Sequence, residues 1–114
     1  FVHPQEMIKW GDKLQLRMCF DISHSMLTAN NFGYCFYELC EQIAPLTAHL
    51  HIGDAEGLNG EGLQIGEGSI DFPRTGTILN SLAPSASFIP EIWQGHKNDG
   101  EGFWKALDIL EKVL

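Results

Sequence analysis

Three short stretches end in residues able to bind a hard or borderline divalent cation. They are Phe20-Asp21-Ile22-Ser23-His24, His49-Leu50-His51-Ile52-Gly53-Asp54 and Pro90-Glu91-Ile92. Each sits where a short apolar run ends and a loop begins. Two carboxylates and an imidazole suit Mn²⁺, Mg²⁺, Co²⁺ or Zn²⁺ and leave coordination positions for substrate oxygens. An ion with open positions polarises a carbonyl and stabilises an enediolate. A carboxylate beside it can then move a proton between adjacent carbons. This is the chemistry of aldose–ketose isomerisation and ketose epimerisation.

Each residue also has a plainer reading. Asp21 would serve as a helix or turn cap after a strand. His24 would be a surface histidine, His49 and His51 hydrogen-bonded core histidines, and Glu91 an exposed edge residue. What raises the joint reading is a shared periodicity, which depends on the elements that carry these residues.

Leu14, Leu16, Met18 and Phe20 alternate with Gln15, Arg17, Cys19 and Asp21, the period of a strand. Thr47 to Ile52 alternates likewise, with His49, His51 and Gly53 opposite Ala48, Leu50 and Ile52. Ser85 to Trp93 forms a third such stretch, with Ser87, Ile89, Glu91 and Trp93 on one side. Pro90 removes one ladder donor next to Glu91. Helices fit between and around these strands. One starts at Pro4 and stops near Gly11. A second runs from a cap at Asn30 or Asn31 to about Ile43 and is closed by Pro45. A third is capped by Asp71, started by Pro73 and closed by Pro84, and a fourth begins at Asn98-Asp99-Gly100. Residues 55–69, rich in Gly and Glu, read as one long loop, a feature that in a small domain is usually functional or mobile.

The expected order is αβαβαβα, an α/β arrangement of parallel strands joined by helical crossovers. In such folds active groups gather at the carboxyl ends of the strands. Asp21, His51 and Glu91 all fall at such ends and, by parity, on one side of the sheet.

Composition narrows the alternatives. At 114 residues with 44% hydrophobic content the chain is one globular domain. A net charge of −8 argues against nucleic acid as a partner. No apolar run approaches the ~18 residues of a transmembrane helix. Cys19, Cys35 and Cys40 form no CxxC pair and read as reduced thiols, which points to the cytoplasm. The opening Phe1-Val2-His3-Pro4 has neither a Met nor a signal-peptide pattern, as expected of a piece of a longer protein. There is no P-loop or strand-borne GxGxxG, and no arrangement for nucleophilic catalysis stands out.

With these residues in place, the chain resembles the xylose-isomerase-like TIM barrels, which include sugar phosphate isomerases/epimerases and endonuclease IV-type nucleases. The matching pieces are the DxxH of Asp21 and His24, the HxHxxD of His49, His51 and Asp54, and Pro90-Glu91-Ile92. Gly66-Glu67-Gly68-Ser69-Ile70-Asp71-Phe72 supplies a GEGxIDF loop into a helix. Their order fits strands six to eight, so residues 1–114 would be the last three βα units of a (β/α)₈ barrel, incomplete as given. The resemblance implies that Asp21, His51 and Glu91 are metal ligands and that Glu91 doubles as the acid/base. It also implies that His24 binds a substrate oxygen, that Asp54 orients neighbouring groups and that Glu67 borders the substrate pocket; the Gly66-Glu67-Gly68 loop reads equally as a simple helix-entry turn.

Two departures follow. The family draws a further glutamate, both ligand and base, from the end of strand five, and this chain has no candidate for it. A complete barrel also needs ~250 residues. By itself the chain is therefore expected to lack a complete site and a closed sheet. Its exposed strand edges would favour homo-oligomerisation. Two classes of function follow: part of a metal-dependent sugar or sugar-phosphate isomerase/epimerase, or a non-catalytic partial barrel that assembles or binds a sugar. A nuclease is disfavoured, because Gly60-Glu61-Gly62-Leu63-Gln64 has no histidine before the GEG loop.

Overall fold

The computed structural model describes residues 3–114; Phe1 and Val2 of the opening Phe1-Val2-His3-Pro4 lie outside them. The chain forms α1 (Pro4–Leu14), β1 (Met18–Asp21), α2 (Ile22–Phe32) and α3 (Phe36–Ile43). A short 3₁₀ turn (Ala44–Leu46) leads into β2 (Thr47–Ile52). Then follow β3 (Asp54–Glu56), β4 (Gly60–Leu63), α4 (Phe72–Leu82), β5 (Ser87–Pro90) and α5 (Lys97–Leu110). β1, β2 and β5 pair in that order as a three-stranded parallel sheet. β3 and β4 make a separate antiparallel pair, and no strand among the described residues closes the sheet into a barrel.

The register puts Cys19, His49 and Ser87 in one row and Asp21, His51 and Ile89 in the next. Side chains alternate across a strand, so the neighbouring residues Phe20, Leu50 and Ile52 point to the other face. There they are buried in one hydrophobic cluster with Ile22, Leu39, Ile43, Leu79 and Leu110. The polar face is not covered in the same way: Cys19, Ser87 and Ile89 on it are exposed.

Four local expectations change. The strand expected from Leu14 begins only at Met18, because α1 runs through Gly11 and ends at Gln15, a residue in the left-handed region (φ 52°). Gly11 is a buried position inside the helix and not a stop. Asn30 and Asn31 do not cap a helix but lie in the last turn of α2, which Gly33 ends at φ 71°. The cap of α2 is Asp21, whose Oδ1 accepts from the His24 N–H at 2.9 Å. Finally, residues 55–69 are not all loop, since they carry most of the β3–β4 hairpin. The observed order is thus richer than αβαβαβα.

Other expectations hold. β2 spans Thr47–Ile52 as read. Asp71 caps α4, accepting from the Arg74 N–H at 3.0 Å, with Pro73 in the first turn. Within α5, Asn98, Asp99 and Gly100 take left-handed φ and make a kink, so regular helix runs from Glu101, just after the expected start. All three cysteines are free. No helix among the described residues is long and apolar enough to cross a membrane.

Candidate metal centre

Three strand ends converge on one edge of the sheet. Asp21 closes β1, His51 lies one residue before the end of β2, and Glu91 directly follows β5. The backbone continues the ladder past Pro90, since the Glu91 N–H donates to the Ile52 carbonyl at 2.8 Å. Asp21, His51 and Glu91 each bring a donor atom within 4.8 Å of the others. His51 Nδ1 lies 2.8 Å from Glu91 Oε2. The side chains are 27%, 38% and 55% exposed respectively, so the cluster is open to solvent and deepest at Asp21.

These distances bear on whether an ion fits. A first-row divalent ion holds N and O ligands so that adjacent donors stand roughly 3 Å apart and opposite ones about 4.2 Å. The His51–Glu91 separation already equals such an edge, and small side-chain rotations would bring the remaining pairs into range. A donor set of two carboxylates and one imidazole matches Mn²⁺, Mg²⁺, Co²⁺ or Zn²⁺.

His24, one turn into α2, is held from both sides. Its Nδ1 lies 2.7 Å from Asp21 Oδ2 and its Nε2 lies 3.1 Å from Glu61 Oε2. Burial pulls this imidazole down from its usual value of 6.5, but the hydrogen bond it donates to Asp21 and the charges of Asp21, Glu61 and Glu91 outweigh that and raise it. A cleft of about 580 Å³ opens beside these groups, lined among others by Ser23, His24, Glu61, Glu91, Trp93 and Lys97. Below the cluster, His49 Nδ1 pairs with Ser87 Oγ at 2.8 Å, and the His49 and His51 rings meet edge-on. Cys19 stands close enough to the acidic edge that burial, then the charges of Asp21 and Glu91, push its thiol up.

Two of the expected site residues lie elsewhere. Asp54 is completely buried. Its carboxylate accepts from the backbone N–H groups of Ala55, Gly66, Gly68 and Ile70, at 2.8 to 3.1 Å. It therefore has no open side toward a ligand, and it fixes the path of residues 64–70. Glu67 is exposed and borders a second cleft, with Gly62, Gln64, Trp93 and Lys97, rather than the donor cluster.

Glu61 and Ser23 were not singled out from the sequence. The Ser23 hydroxyl accepts from the Gly62 N–H at 2.8 Å and donates to the Asp54 carbonyl at 3.2 Å, tying α2 to the hairpin. A signal for the hairpin was present: Asn59-Gly60, with Gly57 two residues earlier, is turn chemistry of the kind hairpins use.

No family model matches this chain, and no curated protein matches it either.

Proposed function

We propose that this domain is the carboxyl-terminal part of a divalent-metal-dependent sugar or sugar-phosphate isomerase/epimerase of the xylose-isomerase-like barrel type. One observation carries the reading: Asp21, His51 and Glu91 bring donor atoms within 4.8 Å from the carboxyl ends of three adjacent parallel strands. A divalent ion bound there would polarise the substrate carbonyl and stabilise an enediolate. Asp21 and His51 would hold the ion, and Glu91, the most exposed of the three, would join them and move the proton between adjacent carbons. His24 faces the same cleft, but Asp21 and Glu61 take both of its ring nitrogens, so it steadies Asp21 rather than binding a substrate hydroxyl. Asp54 acts at one remove, through the loop it anchors. A cytoplasmic location, with free thiols, belongs to the same reading.

A second reading rests on a different observation. The sheet has one uncovered face and two unpaired edges, β1 and β5. This favours a partial barrel that assembles with further strands, including those of a second copy, and binds a sugar without turnover.

The test is paramagnetic broadening by NMR. Aldoses, ketoses and their phosphates are titrated onto the Mn²⁺-loaded chain. Selective broadening of the protons near the carbonyl-derived carbons, lost in Glu91→Ala, is expected. Mn²⁺ binding with no selective broadening across the panel would overturn the sugar reading.

A further inference from the structure

The β3–β4 hairpin is built to hold one side chain in place. At Gly62 the backbone is pinned on both sides: its N–H donates to Ser23 Oγ at 2.8 Å, and its carbonyl accepts from the Trp93 N–H at 2.7 Å. The strand thus spans from the start of α2 to the segment after β5. Neither flanking residue readily takes a side chain, Gly60 for want of space and Gly62 for its backbone conformation. A Cβ at Gly60 would stand 2.7 Å from the Glu56 carbonyl oxygen. A Cβ at Gly62 would stand 3.3 Å from the Trp93 nitrogen, on a backbone at φ 62° that L residues rarely adopt. Between them, Glu61 is the one side chain that projects, and it reaches His24 Nε2 at 3.1 Å. The other ring nitrogen of His24 lies 2.7 Å from Asp21 Oδ2.

We infer that Glu61 is a positioning residue for the metal centre, holding the His24 ring so that His24 in turn fixes the Asp21 carboxylate. This rests on the metal reading given above. An imidazole tethered only through Asp21 would turn about its side-chain bonds. With Glu61 at the far nitrogen, the ring, and with it Asp21 Oδ2, keeps one orientation. His24 is one step behind Asp21, and loss of such a partner typically changes metal affinity 10- to 100-fold; Glu61 is one step further back, so the low end of that range applies to it. The hairpin therefore does more than border the cleft: it supplies the support for a ligand that comes from another strand.

The test uses the full chain and Mn²⁺ alone, titrated calorimetrically, with ¹⁵N NMR of the His24 ring in metal-free protein as a second readout. Glu61→Ala is expected to weaken Mn²⁺ binding about 10-fold and to move the His24 Nε2 resonance, while leaving the thermal midpoint near that of the parent. Glu61→Gln keeps an acceptor oxygen and is expected to restore most of the affinity. Glu56→Ala, on the exposed side of the same hairpin, removes the same charge and is expected to leave affinity unchanged. Glu61→Ala with parent affinity, or with an unmoved His24 resonance, overturns the positioning role alone. A parent chain that binds no Mn²⁺ overturns the metal reading, and the positioning role with it.

Discussion

Asp21 combines two duties at one carboxylate. Oδ1 caps α2 through the His24 N–H, and the same group stands in the donor cluster. The two are compatible, because a carboxylate offers about four lone-pair directions. The helix-cap reading and the ligand reading, which seemed alternatives in the sequence, therefore do not compete. Asp54 is different in kind. Its four backbone hydrogen bonds satisfy a charge that is wholly out of water. Asp54→Ala would leave those four amides without their acceptor and is expected to cost at least about 3 kcal/mol in urea unfolding, since each buried donor left unsatisfied costs about 1–3 kcal/mol. A loss under ~1 kcal/mol, typical of an exposed substitution, would contradict this role. From the sequence, Asp54 was legible as a polar residue ending a strand. Its burial was not, because three of its four donors lie 12 to 16 residues downstream, in a stretch with no periodic pattern. Asp21, His51 and Glu91 were legible as a group for the opposite reason: strand parity is local, and parallel pairing carries it from one strand to the next.

Among the elements, the three sheet strands were readable from alternation alone, though two proved shorter than their apolar runs. β1 lost Leu14 to α1, where the helix simply continued through a buried glycine. The helix expected from Asn30 misled because the apolar positions of α2 and α3 keep nearly one helical phase. Gly33 and the residues after it break that phase by geometry, not by polarity. The hairpin was hidden because its strands are mostly glycine and acid and carry only one large apolar side chain, Leu63. What it needs is close approach. Gly53 marks this best, since an added Cβ would lie 2.6 Å from the Glu91 carbonyl oxygen and 3.1 Å from Gly62 Cα. Both are backbone atoms and neither can rotate away. Gly53→Ala is therefore expected to destabilise the fold by about 1–3 kcal/mol. It should also weaken Mn²⁺ binding by displacing Glu91. Stability within ~0.5 kcal/mol of the parent, with unchanged affinity, would show that the β2 end and Glu91 are not in the close contact described.

At the scale of the whole molecule, the parallel sheet is covered by helices on one face. Parallel sheets are ordinarily covered on both. The uncovered face carries the row of Cys19, His49 and Ser87 below the donor cluster, and β1 and β5 each leave an edge unpaired. In the proposed barrel that face is the interior and those edges continue into further strands. In the isolated chain they are expected to pair with another copy, giving a dimer or larger species by light scattering at micromolar concentration; a monomer there would count against it. The sequence carried the α/β class and the parallel order, since strand–helix alternation specifies both. Alternation does not specify closure, and no strand among the described residues closes the sheet. The site is where fold and function meet, and Mn²⁺ titration followed by electron paramagnetic resonance tests it most directly. One ion per chain is expected, with affinity reduced at least 10-fold in both Asp21→Ala and His51→Ala. Equal binding by the parent and both variants, or no binding by the parent, would contradict a metal centre at these three strand ends.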